Sequence, residues 1–117
     1  MTTERIFITG GTGFVGTELQ RALKGRPLKL LVRTGETGQR NPDAIYVPGD
    51  VTDAASLTGA MNDCSIVIHL VAIIEEHGDA TFDRVIRQGT ENAIAEATRA
   101  GVTHFILMSA MGVRNDP

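Results

Sequence analysis

Three glycines, Gly10, Gly13 and Gly16, recur at a fixed spacing directly after an apolar β-rich run, Arg5 to Thr9 (RIFIT), and at the start of a segment with helical periodicity. Residues of this type, so placed, can hold an anion. Gly10 permits a tight turn off the strand. Gly13 leaves out the side chain that would block a pyrophosphate, so backbone N–H groups at the helix start can reach it. Gly16 lets the helix lie close to the sheet. The candidate phosphate contacts are therefore Gly10, Thr12, Gly13, Phe14, Val15 and Gly16. A glycine triplet alone is weak evidence; here the strand, the helix and the downstream run at Asp50 (GDVTD) agree with it.

A phosphate turn of this kind places the end of the second strand beside the adenosine ribose. A carboxylate there would accept hydrogen bonds from the 2′-hydroxyl and select NAD. This chain has Arg33 instead, and its next acid is Glu36. A guanidinium can pair with a 2′-phosphate through two parallel, charge-assisted bonds. NADP is thus the favoured nucleotide; NAD is the alternative, with Arg33 as a solvated strand end or Glu36 swung in. Other reactive side chains read as ordinary. His69 lies inside an apolar run and reads as a core histidine, His77 and His104 are isolated, and no His, Cys or acid pair has metal-ligand spacing. Cys64 has no basic neighbour in sequence and reads as a packed thiol.

These residues need a scaffold to hold them. Strands are expected over Arg5 to Thr9, Leu28 to Arg33, Ala44 to Val47, Ser65 to Val71 and Thr103 to Met108. Phe14, Val15, Leu19, Ala22 and Leu23 form the apolar face of a first helix ended by Gly25 and Pro27. Asp53 is expected to cap a short helix from Ala54 to Met61. A long helix fits residues 80 to 100, with Phe82, Val85, Ile86, Gly89, Ala93, Ile94 and Ala97 as its stripe and Gly101 as C-cap. Thr34 to Asp43 reads as a loop, and another begins at Ser109. Alternating strands and helices argue for an α/β, doubly wound parallel sheet, with strand order 3-2-1-4-5 and a ligand crevice between strands 1 and 4.

Composition agrees. The 117 residues are 42% hydrophobic and 21% charged, with net charge −3 and one cysteine. They suit a globular domain in a reducing, cytoplasmic setting, with no basic field for nucleic acid and no run long enough for a membrane span.

The glycine spacing, together with GDVTD, IHLVA and GTEN, resembles the short-chain dehydrogenase/reductase superfamily in its extended and atypical branches. The nearest group is the NAD(P)-binding epimerase/dehydratase type, including proteins similar to the nucleotide-binding accessory subunit of respiratory complex I. The resemblance implies a Rossmann-type fold. It also implies that Asp50 accepts a hydrogen bond from the adenine amino group, that the Val51 backbone touches the ring, and that Leu70, Val71 and Ala72 pack their backbone on the pyrophosphate and ribose. Ser109 follows the fifth strand, where relatives carry a hydroxyl that hydrogen-bonds the reacting group; the alignment sets that hydroxyl nearer Ala110, and Ile86 stands where relatives commonly have Asn. The family's catalytic Tyr-x-x-x-Lys is missing, since Tyr46, the only tyrosine, has no lysine four residues on. Residues 1–117 are therefore expected to be the N-terminal part of an NAD(P)-binding domain, truncated after the fifth strand and inactive alone. The parent would be an oxidoreductase, epimerase or dehydratase acting on a sugar nucleotide or small carbonyl compound, with a homodimer possible. The alternative is a nucleotide-binding protein with a structural, assembly or redox-sensing role.

Overall fold

Segments apolar on both faces form the inner strands of the computed structural model, which describes residues 4–10, 14–32, 41–71 and 82–109. In chain order the elements are β1 (Arg5–Thr9), α1 (Phe14–Ala22), β2 (Leu28–Val32), β3 (Ala44–Pro48), a 3-10 turn (Ala54–Leu57), β4 (Cys64–Val71), α2 (Phe82–Ala100) and β5 (His104–Ser109). The five strands make one sheet in the order β3-β2-β1-β4-β5. Every neighbouring pair is parallel, with Ile8 opposite both Leu30 and Ile68 across the sheet's centre. The winding direction reverses between β1 and β4, which opens a crevice at their C-terminal ends.

Alternation along each strand divides the apolar residues between two cores. Phe7, Leu31 and Val67 face α2, where they pack with Leu57, Met61, Ala93 and Ala97. Ile6, Ile8, Leu28, Leu30 and Ile68 face the other way, with Leu19, Leu23 and Tyr46 packed against them. Phe7, Ile8, Leu30, Leu57, Met61 and Val67 are completely enclosed. Each such side chain contributes roughly 1.5–3 kcal/mol on leaving water, which makes this burial the main force holding the sheet together.

Helix α2 ends as its sequence foretells. Gly101 adopts φ +80°, a conformation that side chains disfavour. Its N–H bonds the Thr98 carbonyl at 3.3 Å and the Val102 N–H bonds the Ala97 carbonyl at 2.9 Å, the paired closure of a left-handed helix stop. Four expectations need correction. Asp53 makes no side-chain cap, and the helix it was to start is only a 3-10 turn, because the Ser56 hydroxyl bonds the Asp53 carbonyl at 2.7 Å and tightens the segment. Ala22 is exposed, since α1 ends there and Leu23 takes the inward place. Ile94 is 46% exposed, its place towards the sheet filled by Ala93 and Ala97. Ser109 belongs to β5, paired with Val71, because that ladder runs one residue further than its apolar run. Among the described residues no helix is long and apolar enough to cross a membrane.

Candidate functional site

The crevice begins where β1 must leave the sheet. Gly10 turns there with φ +70°, and a Cβ on it would stand 2.8 Å from the Leu70 carbonyl oxygen on β4. Backbone thus passes so close to backbone that no other residue fits without displacement. As the main chain turns away, a side chain continues the ladder in its place: the Leu70 N–H donates to Thr9 Oγ1 at 3.2 Å. Thr9 Oγ1 also shares a 2.6 Å hydrogen bond with His69 Nδ1. Both residues are buried, and Thr9 lies opposite His69 in the register. Burial pushes the imidazole pKa below its ordinary value and keeps the ring neutral. His69 is therefore a core residue, although its Nε2 finds no hydrogen-bond partner and its ring tilts against Phe105 with centroids 6.0 Å apart.

A second rim lies after β3. Gly49 fits there because a Cβ would meet Leu31 Cδ1 at 2.8 Å. The Asp50 N–H donates to Ser56 Oγ at 2.9 Å, so the 3-10 turn anchors the loop from below. Asp50 Oδ1 accepts from the Thr52 N–H at 2.9 Å and from the Thr52 hydroxyl at 2.8 Å, which fixes how the carboxylate is presented. Asn92 on α2 donates from Nδ2 to the Val51 carbonyl at 2.7 Å. Asp50 and Val51 were expected from the resemblance, whereas Thr52, Ser56 and Asn92, which tie their loop, and Thr9, which ties the β1 end to β4, were not. The available signals for Asn92 were its place in the GTEN run and a polar side chain beside the small Gly89 and Ala93.

Of the other candidates, Phe14, Val15 and Gly16 form the first turn of α1, with Gly16 buried and Val15 partly so. Leu70 and Val71 close β4, and Ser109 closes β5 beside Val71. Thr12, Gly13, Arg33 and Ala72 lie outside the described residues, as does His77. The β1 end, the start of α1, the β4 end and the Asp50 loop follow strands that all point one way, so the topology sets them along one edge of the sheet.

Other polar groups serve structure. The Tyr46 hydroxyl accepts from the Asn41 N–H at 2.7 Å, closing the entry to β3. Cys64 is a buried free thiol, its pKa raised by desolvation. Glu96, which nothing in the sequence marked, is a buried carboxylate that accepts from the Met61 N–H at 3.2 Å and from Arg99 Nε at 2.7 Å. Arg99 reaches on to Asn62 Oδ1 at 2.6 Å, and Lys29 donates to the Asn62 carbonyl at 3.1 Å. The Arg99 guanidinium holds the Glu96 carboxyl below the usual carboxylate range against the opposing effect of burial. No cluster of three metal-binding side chains occurs among the described residues.

Comparison with known proteins agrees with this geometry. Residues 10–117 match the NAD(P)H-binding family. The 3 beta-hydroxysteroid dehydrogenase/Delta 5-->4-isomerase of Mycobacterium tuberculosis is 34% identical over 125 residues, spanning 97% of this chain and 34% of that protein. The ceramide reductase of Caulobacter vibrioides is 34% identical over 113 residues, spanning 93% of this chain and 35% of that protein. The chain thus spans about a third of the length of these relatives. Among solved structures, the Bordetella bronchiseptica enzyme WbmG in complex with NAD superposes with TM-score 0.72 at 28% identity, over 90% of this chain and 37% of that one.

Proposed function

Because the chain belongs to the NAD(P)H-binding family, its ligand is a nicotinamide dinucleotide, and we propose that residues 1–117 are the cofactor-holding part of an oxidoreductase that binds NADP(H) in preference to NAD(H). The observation that supports the dinucleotide site is the left-handed turn at Gly10, pressed against the Leu70 carbonyl where the strand order reverses and preceding α1 in the chain. The preference for NADP(H) rests on Arg33, the residue after β2. A closely approached backbone and a helix N-terminus suit a pyrophosphate.

Each residue has a task in this reading. Gly10, Thr12, Gly13, Phe14, Val15 and Gly16 wrap the pyrophosphate with backbone N–H groups. Arg33 neutralises the 2′-phosphate. Asp50 accepts from the adenine amino group and the Val51 backbone lies along the ring. Leu70, Val71 and Ala72 border the ribose and pyrophosphate, and Ser109, opposite Val71, lends a hydroxyl to the reacting carbonyl or alcohol. When bound, the nicotinamide supplies or accepts hydride at C4. The acid–base pair belongs to chain beyond these residues, as the length of the relatives supports; Tyr46 is committed to its bond with Asn41. A steroid dehydrogenase and a ceramide reductase among the relatives support a carbonyl or alcohol as the reacting group. The buried free Cys64 suits a reducing cytoplasm.

The test is calorimetric titration of the intact protein and its Arg33→Asp variant with NADPH and NADH. NADPH should bind more tightly to the parent and NADH to the variant. Equal affinities in the parent refute the preference, and binding of neither refutes the site.

A further inference from the structure

We propose that Gly89 and Asn92, on the sheet-facing side of α2, are positioning residues for the adenine end of the cofactor site, acting through a single peptide group. The inference rests on the reading of Asp50 and Val51 as the adenine rim. The peptide linking Val51 to Thr52 is held from both sides. Its carbonyl accepts from Asn92 Nδ2 at 2.7 Å, and its N–H donates to Asp50 Oδ1 at 2.9 Å. A planar peptide cannot turn one end without the other. Asn92 thereby sets the direction of the N–H that steers the Asp50 carboxylate, from a position 41 residues away in sequence.

Gly89 sets the distance. A Cβ there would lie 2.9 Å from Val51 Cγ2 and 3.4 Å from Val51 Cβ. Valine is branched at Cβ and stiff at χ1, so it cannot swing its methyl aside cheaply. The added carbon would instead push the Val51 backbone off α2 and stretch the Asn92 bond. Glycine is a poor residue inside a helix, and this close approach is what it permits at position 89. Gly89 and Asn92 lie three apart on α2, hence on one face, and both meet Val51. Helix and rim form one unit.

The test uses the intact protein and two probes, AMP for the adenosine end and nicotinamide mononucleotide for the other, with melting temperature measured beside them. Asn92→Leu and Gly89→Ala should each weaken AMP roughly tenfold and leave the mononucleotide unchanged. Gly89→Ala should lower the melting temperature only slightly, because the helix preference of alanine offsets part of the strain against Val51. Adding Val51→Ala to Gly89→Ala removes the offending methyl and should restore AMP binding to the level of Val51→Ala alone. Asp50→Ala separates the two claims. If it weakens AMP while Gly89→Ala and Asn92→Leu do not, or if Val51→Ala gives no rescue, the positioning role is wrong. Should Asp50→Ala leave AMP binding intact, the adenine rim lies elsewhere and both claims fall. Equal losses of both probes in step with the melting temperature would also overturn the proposal, as the mark of general destabilisation.

Discussion

Replacing Gly10 by alanine should damage the crevice by an amount that can be dissected. Two costs combine. The first is conformational: φ is +70°, and a side chain in the left-handed region costs about 1–2 kcal/mol. The second is steric: the new Cβ would lie 2.8 Å from the Leu70 carbonyl oxygen and 3.2 Å from Leu70 Cβ. The oxygen is backbone in an inner strand and cannot give way alone, so overpacking adds about 1–3 kcal/mol. Together these make about 2–5 kcal/mol, against a typical margin of about 5–15 kcal/mol. Gly25 is an internal control, because its φ is +93° but nothing lies within 4 Å of its would-be Cβ. Gly25→Ala should therefore incur only the conformational cost, about 1–2 kcal/mol. Denaturant unfolding of both variants, followed by circular dichroism, reads the difference directly. Gly10→Ala should prove the less stable by about 1–3 kcal/mol. Indistinguishable midpoints would refute the claim that the β1 turn is built around its approach to β4.

Two titrating groups should leave separate marks on stability against pH. Glu96 has its folded pKa depressed, chiefly by Arg99, so its contribution is present above the ordinary glutamate value near ~4.3 and is lost as pH falls through the folded value. Glu96→Gln should thus cost about 1–2 kcal/mol at pH 7, with the gap to the parent closing in acid; a gap constant down to the acid transition would contradict this. His69 is also depressed, by burial, so below about 6.5 the unfolded chain takes up a proton that the folded chain refuses. Parent stability should decline from that pH downwards, and His69→Asn, whose amide can still pair with Thr9, should remove that decline; an unchanged profile would show that the ring is not held neutral.

The sheet was readable because its strands are short apolar runs between glycine and proline, and because their alternation with helices permits few topologies. Gly101 was equally plain, as a glycine after an amphipathic stripe. Asp53 misled because an acid before a short apolar run looks like a cap, while the Ser56 hydroxyl that reshapes that turn gives no comparable sign. Glu96 was invisible because a helical glutamate normally faces water; only the third dimension puts the Met61 N–H and Arg99 beside it. The glycine turn could be picked out from residue type and order, and Asp50 from the family resemblance. The ties that aim them, Thr9 to His69 and Asn92 to Val51, could not, since they join residues 60 and 41 positions apart.

The bonds of Glu96, Arg99, Asn62 and Lys29 gather near the starts of β2 and β4 and the end of α2, opposite the edge where the glycine turn and Asp50 lie. One end of the sheet is riveted by charge while the other carries the proposed ligand site. A parallel arrangement makes such a division possible, because every strand offers its beginning to one side and its end to the other. Residues on the ligand edge can then be exchanged to suit a different nucleotide or substrate while the rivet keeps the strands in register. Evolvability at one edge is underwritten by rigidity at the other.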